Sequence, residues 1–216
     1  MAEFSVIGLG SFGATVALEL TKLNHDVIGI DTIKRNVENI ANKITHAVIA
    51  DATDEHVLEE LNLKNCEAVI VAIGEDIEAS ILCVLNLNNL GVNKIWVKAK
   101  TKAHHAILSR LSVDKIIHPE EDIGVQTAQA LHYPMVSRYM PIDDDRYIIK
   151  IPVTEKFTGV HLSGLIQQVP EIKILLVKRA QQVWYQVPPD FTLQQNDIVI
   201  VEGFIHHLKN FSTIFS

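Results

Sequence analysis

Short apolar runs alternate with segments of helical spacing over the first half of the chain. The runs are rich in β-branched residues and stay apolar at successive positions, which is typical of strands buried on both faces. Between them, apolar residues recur every three or four positions, as they do along one face of a helix. The pattern predicts strands at residues 4–7, 27–30, 47–49, 68–73, 95–97 and 115–117, and helices at 13–23, 34–42, 55–62, 77–90 and 103–111.

Single helices between such strands predict a parallel sheet, because parallel neighbours are joined through a crossover segment. Sheets of this kind are covered by helices on both faces, and right-handed crossovers then produce a doubly wound α/β fold of the Rossmann type. We therefore predict a Rossmann-type domain at residues 1–118.

The alternation of short strands and helices ends near residue 119, where a longer helix is predicted. Pro119 is tolerated in a first helical turn, and the acidic residues after it suit the positive end of a helix dipole. Tyr133 precedes Pro134 and is therefore biased out of the helical region, so the helix is expected to end there. We interpret residues 119–136 as a connecting helix and hinge.

The remainder, residues 137–216, is predicted to be a second domain made mainly of strands. A mixture of short strands with two helices indicates a small α+β domain. After a polar turn at 143–145, the predicted strands are 147–153, 172–177, 183–187 and 198–201, and the predicted helices are 162–168 and 205–214.

Charge and composition narrow the possible partners. The 216 residues carry 19 Lys and Arg against 26 Asp and Glu, a formal net charge of −7. The basic residues are scattered, whereas nucleic-acid binding requires a clustered basic surface, so we expect no nucleic-acid partner. The longest aliphatic stretches are far shorter than the ~20 residues of a membrane-spanning helix. We expect a soluble, cytoplasmic protein, and any membrane role would be through a partner.

A glycine-rich loop, Gly8-Leu9-Gly10-Ser11-Phe12-Gly13, follows the first predicted strand and opens the first helix. Gly8 permits a tight turn, Gly10 lets the backbone approach a pyrophosphate, and Gly13 allows close packing of helix on strand. The N–H groups at the helix start are then available to bind phosphates. The loop predicts an adenine-nucleotide site, the alternative being a glycine turn without a ligand.

Asp31 ends the second predicted strand and is followed by Thr32. Ligands of this fold bind outside the carboxyl ends of the strands, and a carboxylate at this position accepts hydrogen bonds from ribose hydroxyls. The same negative charge disfavours a 2′-phosphate, so NADP is a poor candidate.

Two further strand ends are expected at the same edge of the sheet. Asp51, Ala52 and Thr53 follow the third strand and could frame the adenine, although Thr53 or Asp54 could also cap the next helix. The fourth strand closes with Ala72, Ile73 and Gly74.

Catalysis is not indicated by any residue pattern that we can identify. The histidines, including those at 104–105 and 206–207, form no readable dyad with a carboxylate. Adjacent histidines on a helix point to different sides, so a shared metal ion is not expected. The chain also lacks the GxxxxGK[ST] loop of ATP-hydrolysing proteins. We expect binding without turnover, and the alternative is an NAD-dependent oxidoreductase or a redox-sensing Rossmann protein.

Five blocks of the first half carry a family resemblance: residues 6–13 (VIGLGSFG), 50–53 (ADAT), 69–74 (VIVAIG), 95–99 (IWVKA) and 116–124 (IIHPEEDIG). In this order they resemble RCK (KTN) domains, the regulatory subunits of Trk/Ktr-type bacterial potassium uptake systems. Residues 137–216 resemble the accompanying C-terminal (TrkA-C) domain, and segments 188–193 and 196–201 fit its late strand pair.

The resemblance implies a regulatory role and a set of partners. Such subunits form homodimers that assemble into an octameric ring under a membrane potassium-translocating subunit. ATP and ADP favour different ring shapes, and the difference gates ion flow, because a ligand shifts an equilibrium by its affinity difference between two states.

The resemblance also implies roles for individual residues. ATP or ADP would contact the glycine loop, Asp31, residues 51–53, the 73–74 edge and Lys98. Glu120 matches an intersubunit glutamate that can coordinate a divalent or monovalent cation at the dimer interface. Taken alone, Glu120 is equally a helix N-terminal carboxylate favoured by the dipole.

Two departures from the family pattern affect the expected ligands. Members usually carry arginine at the position of Ser11, where it reaches the terminal phosphate of ATP across the dimer. Ser11 lacks that charge, so NAD or NADH is the alternative ligand, unless Lys98 or the lysines at 100 and 102 supply it. Some relatives bind cyclic di-AMP in the C-terminal domain, but residues 167–171 lack the expected basic residue, so we do not expect that ligand.

Overall fold

The computed structural model describes residues 2–132, 138–143 and 145–214. The chain divides into two compact units, Met1–Glu120 and Glu121–Ser216. Each unit contains one β-sheet with its own core. Within the described residues, no helix is both long enough and apolar enough to cross a bilayer.

The first unit is a six-stranded parallel sheet with strand order β3-β2-β1-β4-β5-β6. Central strand β1 pairs with β2 on one side and β4 on the other, so that Val6 lies between Gly29 and Ile70. The order reverses between β1 and β4, which confirms the predicted doubly wound fold. The strands are β1 (Glu3–Ile7), β2 (Asp26–Asp31), β3 (His46–Ile49), β4 (Ala68–Val71), β5 (Ile95–Lys98) and β6 (Lys115–Ile117).

Helices connect successive strands of the parallel sheet. Alternate side chains of each strand enter the cores on its two faces: Ile7 and Val71 contribute to one apolar cluster, and Val6 and Ile70 to the other. The helices are α1 (Ser11–Lys22), α2 (Lys34–Ile40), α3 (Glu55–Glu60), α4 (Ile77–Asn89) and α5 (Lys102–Leu108), and α6 (Pro119–His132) begins at the end of this unit.

Several boundaries differ from the sequence prediction for identifiable reasons. Helix α1 begins at Ser11 rather than 13, because Gly10 takes the extended N-cap conformation. Helix α5 ends at Leu108 rather than 111, and the following N–H groups of Arg110 and Leu111 bond three residues back, as in a tighter terminal turn. Strand β4 stops at Val71, two residues before the predicted end.

The second unit contains a five-stranded antiparallel sheet with strand order β10-β9-β11-β8-β7. Strand β7 is not among the predicted strands, and β10 is shorter than predicted. The chain reaches Pro188 and Pro189 soon after β10, and proline cannot donate a ladder hydrogen bond. The elements are β7 (Arg138–Pro141), β8 (Arg146–Pro152), α7 (Leu162–Ile166), β9 (Lys173–Arg179), β10 (Gln182–Trp184), β11 (Ile198–Phe204) and α8 (Ile205–Ile214).

An ion pair with a fully buried carboxylate lies within the antiparallel unit. Asp197 is fully buried, and its two carboxylate oxygens accept hydrogen bonds from Nε and Nη2 of Arg179, each at 2.8 Å. The backbone N–H of Gln194 donates to the same carboxylate at 2.8 Å. The guanidinium also lies against the rings of Trp184 and Phe191. The hydrogen bond to Asp197 raises the pKa of the Arg179 guanidinium.

Candidate nucleotide-binding site

The chain turns sharply where β1 gives way to α1. Gly8 has φ +91°, a left-handed conformation that favours glycine, and its N–H donates to the carbonyl of Ile30 on β2 at 2.8 Å. A Cβ at Gly8 would lie 2.9 Å from the carbonyl carbon of Ala72, just after β4. The turn therefore holds the start of α1 close to two strand ends and leaves no room for a side chain.

The other two glycines of the loop have different surroundings. A Cβ at Gly13 would lie 1.9 Å from the carbonyl oxygen of Gly8, so only glycine lets α1 pack this closely on the turn. A Cβ at Gly10 would have no neighbouring atom within 4 Å. The open space at Gly10 is where a phosphate could approach, since the first N–H groups of an α-helix have no partner within the helix.

A cavity of about 500 Å³ opens at the carboxyl edge of the parallel sheet. Its wall is formed by residues that follow β1 to β4 and by the first turns of α4. It falls within the size range of small-molecule and cofactor pockets. The site residues predicted from the sequence that line it are Gly8, Gly10, Asp31, Thr32, Asp51, Ala52, Thr53, Ala72, Ile73 and Gly74.

The remaining residues of the predicted nucleotide site do not line this cavity. The side chain of Leu9 is buried in the core, whereas its backbone N–H donates a hydrogen bond to Asp31 at the cavity wall. Ser11 is exposed, and Gly13 is buried under the turn. Phe12 packs with the apolar cluster between α1 and the sheet and lines a separate apolar cavity of about 310 Å³ with Trp96.

Asp31 links the glycine loop to the end of β2. Its Oδ2 accepts hydrogen bonds from the N–H of Leu9 at 2.7 Å and from Nδ2 of Asn36 at 3.0 Å. Its Oδ1 accepts one from the N–H of Ile33 at 2.7 Å. A carboxylate offers about four acceptor positions, so three internal bonds leave capacity on Oδ1 for one more donor, such as a ribose hydroxyl. Asp31 thus positions the loop in addition to facing the cavity.

Asp51 and Thr53 form a local turn on another wall of the cavity. The N–H and the hydroxyl of Thr53 donate to Oδ1 of Asp51 at 2.9 Å and 2.7 Å. These two hydrogen bonds lower the pKa of Asp51, so it is ionised at neutral pH. The N-cap of α3 is Asp54, whose carboxylate accepts from the N–H of His56. The alternative cap, Thr53, is used instead in the turn with Asp51.

Acidic side chains surround the cavity, and no lysine or arginine lines it among the residues that the structure describes. A ligand phosphate would therefore meet backbone N–H groups rather than a cationic side chain. The lining acids are Asp31, Asp51, Glu75, Asp76 and Glu78. Three of them lie at the start of α4: Glu75 precedes the N-cap, Asp76 is the N-cap and accepts from the N–H of Ala79 at 2.9 Å, and Glu78 lies in the first turn.

Two ion pairs lie beside Gly74 at the edge of the cavity. Lys98 Nζ is 2.5 Å from Oε1 of Glu120, and a Cβ at Gly74 would lie 3.1 Å from the same ammonium. Glu75 pairs with Lys100 at 2.8 Å. The hydrogen bonds from the lysines lower the pKa of Glu120 and of Glu75. Lys98 is 14 % exposed, whereas its partner Glu120 is 70 % exposed, so the ammonium is held under a solvent-facing carboxylate.

The cation role of Glu120 at the dimer interface, which the family resemblance implies, stays a prediction, and within one chain the carboxylate pairs with Lys98. The bound ammonium repels a metal cation. Among the described residues, no group of three or more His, Cys, Asp or Glu side chains could hold a metal ion.

Sequence reasoning missed several lining residues, including Ile33, Asn36, Glu75 and Asp76. Asn36 carries no motif of its own, and only its position one turn into α2 brings its amide to Asp31. Glu75 and Asp76 follow Gly74 directly, so extending the strand-end argument by two residues would have found them.

Comparison with known proteins gives one consistent result. The model of the TrkA-N domain matches residues 4–119. Ktr system potassium uptake protein A of Bacillus subtilis (strain 168) is 36 % identical over 210 residues, which cover 97 % of this chain and 95 % of that protein. Ktr system potassium uptake protein C of the same organism is 37 % identical over 210 residues, with the same coverage.

A solved structure, the GsuK RCK domain, matches the whole chain with a TM-score of 0.66 at 15 % identity. The match covers 48 % of the GsuK chain, so this protein spans about half its length, and the likeness concerns the fold. The resemblance inferred from the sequence blocks is confirmed. The chain belongs to the TrkA-N domain family, together with the Ktr system potassium uptake proteins.

Proposed function

We propose that this protein is a nucleotide-binding regulatory subunit that gates a membrane potassium uptake system. The observation that carries the proposal is the glycine turn at the carboxyl edge of the parallel sheet, where Gly10 faces open space and Asp31 faces the cavity. The full-length similarity to Ktr system proteins supports potassium uptake as the process that it regulates.

The site binds an adenine nucleotide through three kinds of contact. N–H groups at the start of α1 hold the phosphates beside Gly10, because they lack partners within the helix. Asp31 Oδ1 accepts a ribose hydroxyl, and its charge rejects a 2′-phosphate. The apolar and small side chains of Ala52, Ala72 and Ile73 border the remaining space.

ATP and ADP are the proposed regulatory ligands, and NAD or NADH is the competing choice. The position where relatives carry arginine is Ser11, and the lining residues include no lysine or arginine within the described part of the chain. Lys98 lies beside Gly74 at the edge of the cavity and is a candidate to meet a terminal phosphate, but in the structure it binds Glu120. A dinucleotide, with no terminal phosphoryl group to neutralise, fits this charge distribution at least as well.

Binding acts by population shift rather than by turnover. Two nucleotides that prefer different conformations of the assembly by tenfold differ by about 1.4 kcal/mol per site, and several sites in one ring add to the bias. We propose a homodimer that assembles into an octameric ring and contacts the cytoplasmic face of the membrane only through the potassium-translocating subunit.

Calorimetric titration with ATP, ADP, NAD⁺ and NADH, each with and without Mg²⁺, tests the proposal. We expect binding of at least one adenine nucleotide, no binding of NADP⁺ at comparable concentration, and no hydride transfer in the presence of alcohols or hydroxy acids. Hydride transfer would contradict the regulatory role and favour an oxidoreductase.

A matched pair of glycine variants localises the binding. Gly10→Ala places a methyl group in the open space beside the helix N-terminus, so we expect nucleotide affinity to fall while the unit stays folded. Gly124→Ala is the control, since a Cβ there also has no neighbour within 4 Å. If both variants bound nucleotide with equal affinity, the phosphates would not bind at the glycine loop.

A further inference from the structure

Two histidine side chains meet on the first unit, apart from the cavity. His105 lies on α5, and His118 directly follows β6, the last strand of the parallel sheet. Nδ1 of His105 is 2.7 Å from Nε2 of His118, and the rings are stacked at 22° with centroids 5.0 Å apart. His105 is exposed and His118 half-buried, so solvent reaches the pair.

The neighbouring histidine is excluded from this pair by its surroundings. His104 precedes His105 on α5 but points inward, is 1 % exposed, and accepts a hydrogen bond from the N–H of Lys100 through Nδ1. Burial, and secondarily the nearby His118, lower the pKa of His104. It therefore acts as a core residue, and the accessible imidazoles are those of His105 and His118.

The separation of the two nitrogens suits a metal ion as well as a hydrogen bond. Two imidazole nitrogens bound at about 2.0–2.1 Å to one ion and at a right angle to each other lie about 2.9 Å apart. The observed 2.7 Å is close to that distance. Right-angled nitrogen pairs belong to tetragonal Cu²⁺ and Ni²⁺ sites, and imidazole is a preferred ligand of both ions.

We propose that His105 and His118 form a binding site for a late first-row divalent cation, Cu²⁺ or Ni²⁺, with water completing the coordination. Two protein nitrogens are the full protein contribution, because within the described residues no larger group of ligating side chains is assembled. The affinity order follows the general preference of nitrogen sites, with Cu²⁺ above Ni²⁺ and above Zn²⁺.

The bound ion would tie α5 to the start of α6. His118 directly precedes Pro119, the first residue of α6, and lies two residues before Glu120, the carboxylate that binds Lys98. The site is thus placed where the first unit ends, at Glu120.

Full-length protein freed of any affinity tag is titrated with CuCl₂ and followed by electron paramagnetic resonance. We expect a first equivalent of Cu²⁺ in a tetragonal site with hyperfine structure from two nitrogens. His105→Gln and His118→Gln should each weaken Cu²⁺ binding by about tenfold or more. Replacing a residue that only hydrogen-bonds to a metal ligand already lowers metal affinity about 10–100-fold. His46→Gln, at another exposed histidine, should leave the spectrum and the affinity unchanged.

A second histidine cluster among the residues that the structure describes provides the alternative copper site. His206 and His207 have ring centroids 3.9 Å apart on the second unit. A two-nitrogen signal that survives both His105→Gln and His118→Gln, or that disappears only in His206→Gln, would overturn the proposal. Circular dichroism checks that each variant is folded. If His118→Gln does not fold, His105→Gln is sufficient for the test, because His105 is exposed on its helix.

Discussion

The two sheets of this protein each hold an aspartate that accepts three hydrogen bonds, and the two residues serve different purposes. Asp197 in the antiparallel unit is fully buried and faces the guanidinium of Arg179, which neutralises its charge. Asp31 in the parallel unit accepts only from neutral N–H donors and faces a cavity. A carboxylate whose charge is balanced inside the protein stabilises the fold, whereas one left unbalanced at a cavity wall is available to a ligand.

The largest expected effect comes from breaking the balanced pair. Asp197→Asn removes the negative charge and places a neutral amide at a fully buried position that faces Arg179 and the N–H of Gln194. We expect the second unit to lose about 3 kcal/mol of unfolding free energy, because the amide cannot accept from all three donors and its own NH₂ group would face one of them. Urea unfolding measures the change, followed by the fluorescence of Trp184 in a Trp96→Phe background so that only the second unit contributes.

The contrast with an exposed pair tests this interpretation of Asp197. Lys34 and Glu38 lie 3.5 Å apart on α2 with both side chains more than half exposed. Glu38→Gln should leave stability unchanged within error, as surface pairs contribute little. If Asp197→Asn were equally silent while nucleotide binding was lost, the assignment of the two aspartates to structure and binding would be reversed.

The next effect concerns the glycine turn of the parallel unit. Gly13→Ala forces a Cβ to within 1.9 Å of the Gly8 carbonyl unless the backbone moves. We expect a loss of about 1–3 kcal/mol in the stability of the first unit, typical of overpacking, together with loss of nucleotide binding. Gly10→Ala should affect binding alone. A stable Gly13→Ala protein that still binds nucleotide would show that the turn has more freedom than its geometry indicates.

The fold was largely predictable from the sequence because its signals are local. Alternating strands and helices determined the parallel sheet, and every predicted strand of the first unit appears within a few residues of its expected position. The second unit was less predictable: β7 lies at an edge of the sheet, and its segment, which includes Pro141, lacks a continuous apolar run.

The site was predictable in its backbone and less so in its side chains. Glycines and strand ends identify where the cavity forms, since those features follow from chain direction alone. The hydrogen bond from Asn36 to Asp31 and the pairing of Lys98 with Glu120 depend on residues 5 and 22 positions apart meeting in space. No period or motif encodes such contacts, and Leu9 and Phe12 were assigned to the site although their side chains pack in the core.

Asp31→Asn addresses the unbalanced aspartate directly. We expect nucleotide affinity to fall about tenfold, or about 1.4 kcal/mol, because a neutral amide accepts a ribose hydroxyl less strongly than a carboxylate. The control is Asp26→Asn at the opposite end of the same strand, where the carboxylate accepts from the hydroxyl of Thr45. Calorimetry should find no change in affinity for that variant.

A ligand without ribose hydroxyls separates recognition from loop positioning, because Asp31 also holds the N–H of Leu9. If Asp31 binds the ribose, 2′,3′-dideoxy-ATP should bind wild-type protein more weakly than ATP does. The Asp31→Asn substitution should also lower the affinity for 2′,3′-dideoxy-ATP less than it lowers the affinity for ATP. An equal loss for both ligands would mean that Asp31 acts only by shaping the glycine loop.

The smallest expected effect lies at the pair of Lys98 and Glu120 beside the cavity. The hydrogen bond from Lys98 lowers the pKa of Glu120, so the pair stabilises the folded protein at pH values above the ordinary glutamate range, and the contribution is lost as the pH falls through the lowered value. Because Glu120 is 70 % exposed, its contribution to stability is at most a few tenths of a kcal/mol. Lys98→Met should therefore raise the pKa of Glu120, measured by NMR of the side-chain carboxyl carbon, with little change in unfolding free energy.

Lys100→Met is the matched control, since Lys100 pairs with Glu75 and its loss should move the pKa of Glu75 instead. If both variants shifted Glu120 equally, the four side chains would titrate as one cluster, and the edge of the cavity would respond to a ligand phosphate as a unit rather than through Lys98 alone.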